Sequence, residues 1–228
     1  MIDMKYEITY LDLDHTLLEF ESAEENALRL LFNDYDRKLT EGECELYKEI
    51  SEKWWDLLDT GRCKKDEILV GRFREYFDRL NVKENPDVAS QRYLELLSEQ
   101  GITIAGAIDF LEEMRDRGQR MAAITNGVEF VQLRRIEIAG LSVYLDFVVT
   151  SERAGFTKPH PGIFHYASEL SGIPIDKSVY IGDSLKTDWA GAKNAGMPFI
   201  LLDLFAKEPS NNGVQVARSY EELLELLF

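Results

Sequence analysis

The sequence predicts an α/β fold: a doubly wound parallel sheet with helices on both faces, interrupted by an all-helical insert. Three observations predict it. A β-rich apolar stretch near the start ends in acidic residues; from about residue 20 to about 103 every segment has helical periodicity; beyond that, strands and helices alternate. Residues 1–19 and 104–228 are therefore read as one discontinuous α/β core, with residues 20–103 as an inserted helical domain. A chain of 228 residues is long enough for this arrangement to bury a substantial core.

Taken in order, residues 6–13 form the first strand, apolar until it meets Asp12 and Asp14. Ser22 followed three residues later by Glu25 has the pattern of a capping box ahead of the run Ala27, Leu28, Leu30, Leu31 and Phe32. Amphipathic helices follow at 41–58, 65–80 and 86–99, with turn signals at Gly61 and Asn85-Pro86. The alternating half then reads helix 107–117, strand 120–125, helix 129–139, strand 147–151 and helix 162–171. It continues as strand 178–182, helix 189–194, strand 199–203, a polar loop at 208–213 and a last helix at 220–227. Ligands of such sheets bind at the carboxyl ends of the strands, where strand order reverses.

Composition narrows the function. With 42 acidic against 26 basic residues the net charge is -16, and the basic residues form no patch, which argues against a nucleic-acid polymer as partner. No run of about 18 apolar residues is present to span a membrane, and the first ten residues lack a signal-peptide stretch. Cys44 and Cys63 match no metal or redox spacing and are read as reduced thiols. A cytoplasmic protein with no obligate protein partner is the expectation.

Three strand ends carry the chemistry: Asp12-Leu13-Asp14-His15-Thr16, Ile124-Thr125-Asn126-Gly127, and Ile181-Gly182-Asp183-Ser184 with Asp188 beyond it. Carboxylates converging in a partly buried crevice repel one another and demand a cation. Oxygen ligands without His or Cys suit Mg2+.

These motifs, together with Lys158-Pro159, make the chain resemble the haloacid dehalogenase superfamily, with a Rossmann-like core and a helical cap; the resemblance covers essentially the whole chain. It implies that Asp12 is a nucleophile forming an aspartyl-phosphate and that Asp14 is the general acid and base. It further implies metal ligation by the Asp12 and Asp183 side chains and the Asp14 backbone carbonyl. Thr125, with the N–H groups of Asn126 and Gly127, would cradle phosphoryl oxygens, and Lys158 would balance the carboxylates and stabilise the transferring group. Asp188 has three readings: holding a metal-bound water, orienting Lys158, or capping the helix that begins at Trp189. His15, His160 and His165 are read as packing or surface residues.

The insert's position makes it a cap over the crevice, of the kind that admits a small phosphomonoester and excludes water. Thr125-Asn126-Gly127, Ser151-Glu152, Gly155, Lys158-Pro159 and Phe164 look most like the pyrimidine 5′-nucleotidase branch, which implies a nucleoside 5′-monophosphate as substrate. Within the cap, Trp54 would stack on a base and Arg72 would pair with phosphate; the other reading makes the aromatic a core residue and Arg72 a surface or ion-pairing one. A sugar-phosphate phosphatase or phosphoglucomutase-type enzyme is the alternative. A true dehalogenase fits less well because Asp14 is present, and a non-catalytic protein because every motif position is intact.

Overall fold

Ile8, Thr9, Tyr10 and Leu11 are all buried and form strand β1 (Ile8–Leu11), an apolar run enclosed on both faces. The computed structural model describes residues 5–206 and 213–228; of the expected polar loop at 208–213, all but Gly213 lies outside the described residues. The chain divides into two compact units, Met1–Phe20 with Gly101–Phe228, and Glu21–Gln100.

The Glu21–Gln100 unit contains α1 (Glu21–Asn33), α2 (Glu41–Asp59), α3 (Lys65–Leu80) and α4 (Pro86–Ser98). α1 packs on α4, α2 on α3, and α3 on α4. Thr40 caps α2: its Oγ1 accepts the Glu43 N–H at 3.3 Å, while the Glu43 carboxylate accepts the Thr40 N–H at 2.8 Å. Asn85 caps α4 through Oδ1, which accepts the Asp87 N–H at 2.9 Å, and Pro86 takes the first helical position. The capping box expected at Ser22 does not form. α1 already begins at Glu21, so Ser22 lies inside the first turn, and Glu25 instead accepts from Arg29 at 2.7 Å.

The interior of this unit is aromatic. Rings of Phe32, Tyr47, Phe73, Tyr76 and Tyr93 meet edge-on or tilted, with centroids 5.2–5.7 Å apart. Arg72 corrects an expectation here. Its guanidinium is 2% exposed, lies 5.0 Å from the Tyr93 ring centre and donates to Ser51 Oγ at 3.3 Å, so it is a core residue of the bundle, not a substrate contact. Ser51 in turn donates to Glu24 Oε1 at 3.2 Å. Burial raises the Glu24 carboxyl to about 7, although the Arg72 charge pulls the other way.

The other unit continues after Gly101 with α5 (Ala107–Asp116), β2 (Arg120–Thr125), α6 (Glu129–Ile138), β3 (Val148–Thr150) and the one-turn α7 (Ser151–Ala154). Then come α8 (Gly162–Ser171), β4 (Ser178–Gly182), α9 (Ala190–Ala195), β5 (Phe199–Leu202), β6 (Gln215–Ala217) and α10 (Tyr220–Leu227). Among the described residues six parallel strands lie in the order β3-β2-β1-β4-β5-β6. β1 is therefore the point at which chain order reverses, and ligands of such sheets bind beyond the carboxyl ends of the strands there.

Strand residues alternate between two cores. Leu11, Ala123 and Ile181 pack with Phe110, Leu111, Met114 and Leu223 on one face; Tyr10, Ile124 and Tyr180 pack with Ile163, Phe164, Ala167 and Ala192 on the other. Helices thus cover both faces, as doubly wound sheets require. β6 was not foreseen: three residues beginning with an exposed Gln are too few to show a period of two. A second difference is the π-turn Leu185–Trp189 that precedes α9.

Where the insert leaves and rejoins this unit, the chain ends are paired. The Glu19 N–H donates to the Ile102 carbonyl at 2.9 Å and the Ile104 N–H to the Leu17 carbonyl at 3.0 Å, around an antiparallel bridge between Leu18 and Thr103. Among the described residues no helix is long and apolar enough to cross a membrane, and both Cys44 and Cys63 are free thiols.

Candidate active site

Asp12 is the first residue beyond β1, and only 8% of its surface is exposed. Its Oδ1 accepts from the Lys158 Nζ at 2.7 Å, and the same ammonium donates to Asp188 Oδ1 at 2.7 Å and to the Tyr180 hydroxyl at 2.8 Å. Lys158 is thus a buried cation with all three of its protons directed into the site. Burial alone would drive it neutral, but the Asp12 and Asp188 carboxylates outweigh that and raise its pKa above the ordinary value.

The chain around Lys158 is bracketed by Asn126. The Lys158 N–H donates to Asn126 Oδ1 at 2.8 Å, and Asn126 Nδ2 donates back to the Lys158 carbonyl at 3.0 Å; the Lys158–Pro159 peptide is cis. The Asn126 side chain is therefore committed to the lysine's backbone, which leaves only its backbone N–H for a phosphoryl group.

Asp188 is fully buried in the π-turn, with Oδ1 facing Lys158 and Tyr180 and Oδ2 accepting the Ser184 N–H at 3.1 Å. The helix-capping reading of Asp188 does not hold. Ser184 caps this turn, its hydroxyl accepting the Thr187 N–H at 3.2 Å, while the Asp188 carboxylate points at the lysine. Gly182 permits this approach, because a Cβ there would fall 2.3 Å from Asp188 Oδ2.

Asp12, Asp183 and Asp188 each present a carboxylate oxygen, and the three lie within 4.8 Å of one another. Burial raises the pKa of Asp12 to about 7; Lys158 opposes the rise, and the Asp188 and Asp14 charges add to it. Asp183 is raised well above the usual carboxylate range by burial and by the charges of Asp188 and Asp12. These are signs of negative charge short of a partner. Among the side chains joined here, the carboxylates of Asp12, Asp14, Asp183 and Asp188 face the cations of Lys158 and Arg135. The excess of two negative charges equals the charge of one divalent ion, and an all-oxygen donor set is what Mg2+ takes.

On the other side of Asp12, Asp14 accepts from Arg135 Nη1 through Oδ1 and from Gln132 Nε2 through Oδ2, the latter at 2.6 Å. Thr125, at the end of β2, is 2% exposed, and its Oγ1 accepts from the Gly127 N–H at 3.0 Å and from Gln132 Nε2 at 3.1 Å. Tyr180, Gln132 and Arg135 were not anticipated from the sequence. The last two carried a readable signal, polar residues three apart on the face of a helix that must turn inward.

Two of the histidines pack against rings and the third lies at the surface. His15 meets the edge of Phe20 with ring centres 5.7 Å apart, His160 stacks on Phe156 at 4.4 Å, and His165 is exposed. Trp54 donates its indole N–H to Glu75 Oε2 at 3.0 Å and packs against Gly71, which ties its polar edge to the bundle's own α3.

Fold and site together define an α/β enzyme with a carboxylate-rich centre at the reversal point of a parallel sheet. Residues 10–196 match the family model described as haloacid dehalogenase-like hydrolase, and the chain belongs to this family of hydrolases. It is 30% identical to the pyrimidine 5′-nucleotidase PynA of Streptococcus pneumoniae (strain ATCC BAA-255 / R6), over 98% of this chain and 96% of that protein. It is 31% identical to the pyrimidine 5′-nucleotidase YjjG of Escherichia coli (strain K12), over 90% and 89%. The crystal structure of the HAD-hydrolase YfnB from Bacillus subtilis bound to magnesium superposes with a TM-score of 0.90 at 29% identity, covering 97% of this chain and 98% of that one.

Proposed function

We propose that the protein is a Mg2+-dependent phosphomonoesterase that forms an aspartyl-phosphate on Asp12 and acts on nucleoside 5′-monophosphates, those of pyrimidines first. The observation that carries the chemical part is the buried Asp12–Lys158 pair beside Asp183, at the carboxyl end of the central strand. The substrate part rests on the names of two relatives that align over nearly the whole chain.

In this reading Asp12 attacks phosphorus, and Asp14 protonates the leaving alkoxide and then takes a proton from the attacking water. Thr125 and the backbone N–H of Asn126 bind phosphoryl oxygens, and Lys158 holds Asp12 in place and stabilises charge on the transferring group. Asp188 and Tyr180 orient Lys158. The Asp12 and Asp183 carboxylates, with the Asp14 carbonyl, would hold Mg2+, which when bound offsets their repulsion and the charge of the phosphate. The helical unit, Trp54 included, would set substrate choice as a cap.

A panel of phosphomonoesters assayed with Mg2+ and with chelator tests the proposal. Uridine and thymidine monophosphates should lead, activity should vanish in chelator, and Asp12→Asn should abolish turnover while the circular dichroism spectrum is unchanged. Sugar phosphates turning over far faster than any nucleotide would move the substrate to the alternative class. Activity surviving in chelator would overturn the Mg2+ dependence, and release of halide from a 2-haloacid with no phosphomonoester turned over would favour a dehalogenase.

A further inference from the structure

Gln132 and Arg135 lie on α6 with 1% and 0% of their surfaces exposed, beside the apolar Val131 and Ile136, and neither belongs to the four motifs. A buried guanidinium and amide are strongly destabilising unless their polar atoms find partners. Here those partners are site residues. Besides Asp14, Arg135 donates through Nη1 to Gln132 Oε1 at 3.2 Å and through Nη2 to the Glu19 carbonyl at 3.2 Å, with its guanidinium 5.6 Å from the Phe20 ring centre. Because a guanidinium only donates, the amide atom facing it must be oxygen, so the amide nitrogen faces Asp14 and Thr125.

We propose that Gln132 and Arg135 are positioning residues that fix the Asp14 carboxylate, and that Gln132 links it to the Thr125 hydroxyl; this rests on the phosphohydrolase reading above. Each Asp14 oxygen uses one lone pair on α6 and keeps the other for the reaction. In the first half-reaction the Asp12 oxygen bonds to phosphorus as the ester P–O bond breaks, and the Asp14 proton passes to the leaving oxygen. In the second, water attacks phosphorus, the bond to Asp12 breaks, and Asp14 recovers a proton from the water. Both transfers need the same carboxylate held at hydrogen-bonding distance from two successive oxygens. The network also sets Thr125: with both acceptor positions of its hydroxyl taken by the Gly127 N–H and Gln132 Nε2, its single proton is left to donate.

Gly127 gives independent support. A Cβ at this position would fall 2.3 Å from Gln132 Nε2, so only glycine lets the amide reach across to Asp14.

The test uses Gln132→Leu, which removes both donors while leaving every charge in place. kcat/KM is measured with a simple alkyl phosphate, whose leaving oxygen needs a proton, and with p-nitrophenyl phosphate, whose leaving group does not; it reports the steps up to transfer onto Asp12. The expected loss is about 100-fold on the alkyl ester, and roughly tenfold or more smaller on the aryl ester. Gly127→Ala, which displaces the amide without replacing it, should reproduce the difference. Equal losses on the two esters in both variants would overturn the proposal and leave the phosphohydrolase reading standing. A wild-type protein that hydrolyses neither ester, nor uridine or thymidine monophosphate, would remove that reading, and this one with it.

Discussion

Tyr180 reaches the active centre through a single atom. Its ring belongs to the core beneath the sheet, 5.0 Å from Phe164, while its hydroxyl accepts from Lys158 and stands 3.1 Å from both Asp188 Oδ1 and the Ile124 carbonyl. Tyr180→Phe keeps the packing and removes one of the acceptors around the ammonium. Steady-state kinetics should show kcat lowered about tenfold with KM little changed, the scale expected when a partner of a catalytic group is lost. Glu24 makes a separate prediction. A carboxyl raised from 4.5 to about 7 in the folded chain binds its proton more tightly there than when unfolded. Stability therefore falls as pH rises between those values, by roughly 3 kcal/mol, and stays low above them. Denaturation midpoints at pH 5 and pH 8 should differ in the wild type, and Glu24→Gln should reduce that difference, leaving the part due to Asp12 and Asp183. At this scale the sequence revealed residues that announce themselves by type and place: Asp12, Asp14, Thr125, Lys158 and Asp183 fall at strand ends or beside a proline. Tyr180 was hidden because its ring satisfies the strand's apolar pattern, and Arg72 misled because a charged residue on a helix reads as outward until the rings around it are known.

Among the elements, the π-turn Leu185–Trp189 brings Asp188 back over the end of β4, and Gly182 leaves room for it. Gly182→Ala would set a methyl group against a carboxylate held on both oxygens, so the turn must shift. A loss of roughly 1–3 kcal/mol in stability is expected from overpacking. A fall in kcat should accompany it because Lys158 loses its second carboxylate, and thermal unfolding with kinetics on the same sample would check both. Long helices were legible in the sequence because apolar spacing sustained over many residues leaves one choice of face, as in α2 and α3. β6 and the π-turn were not, since three residues carry no period and a π-turn differs from an α-helix only in which carbonyl each N–H meets. The start of α1 was misplaced because Ser22 has the chemistry of a cap but lies one residue inside the helix that Glu21 begins.

For the whole molecule, the net charge is -16, and the α/β unit gathers four carboxylates against two cations in one place. An ion that binds only the folded state stabilises it by mass action, about 2.7 kcal/mol at a hundred times its dissociation constant. Added Mg2+ should therefore raise the melting temperature of the wild type, and Asp183→Asn should lose most of that rise; calorimetry with and without the ion would measure it. Fold class was readable from the alternation alone, because parallel strands alternating with helices have few ways to bury both faces.

The paired segments around Leu18 and Thr103 have a consequence for descent as well as for architecture. A chain interrupted between Phe20 and Gly101 but stitched shut on either side of the break treats the intervening eighty residues as a detachable cassette. Selection can then exchange the inserted helices without redrafting the sheet and the carboxylates at its edge.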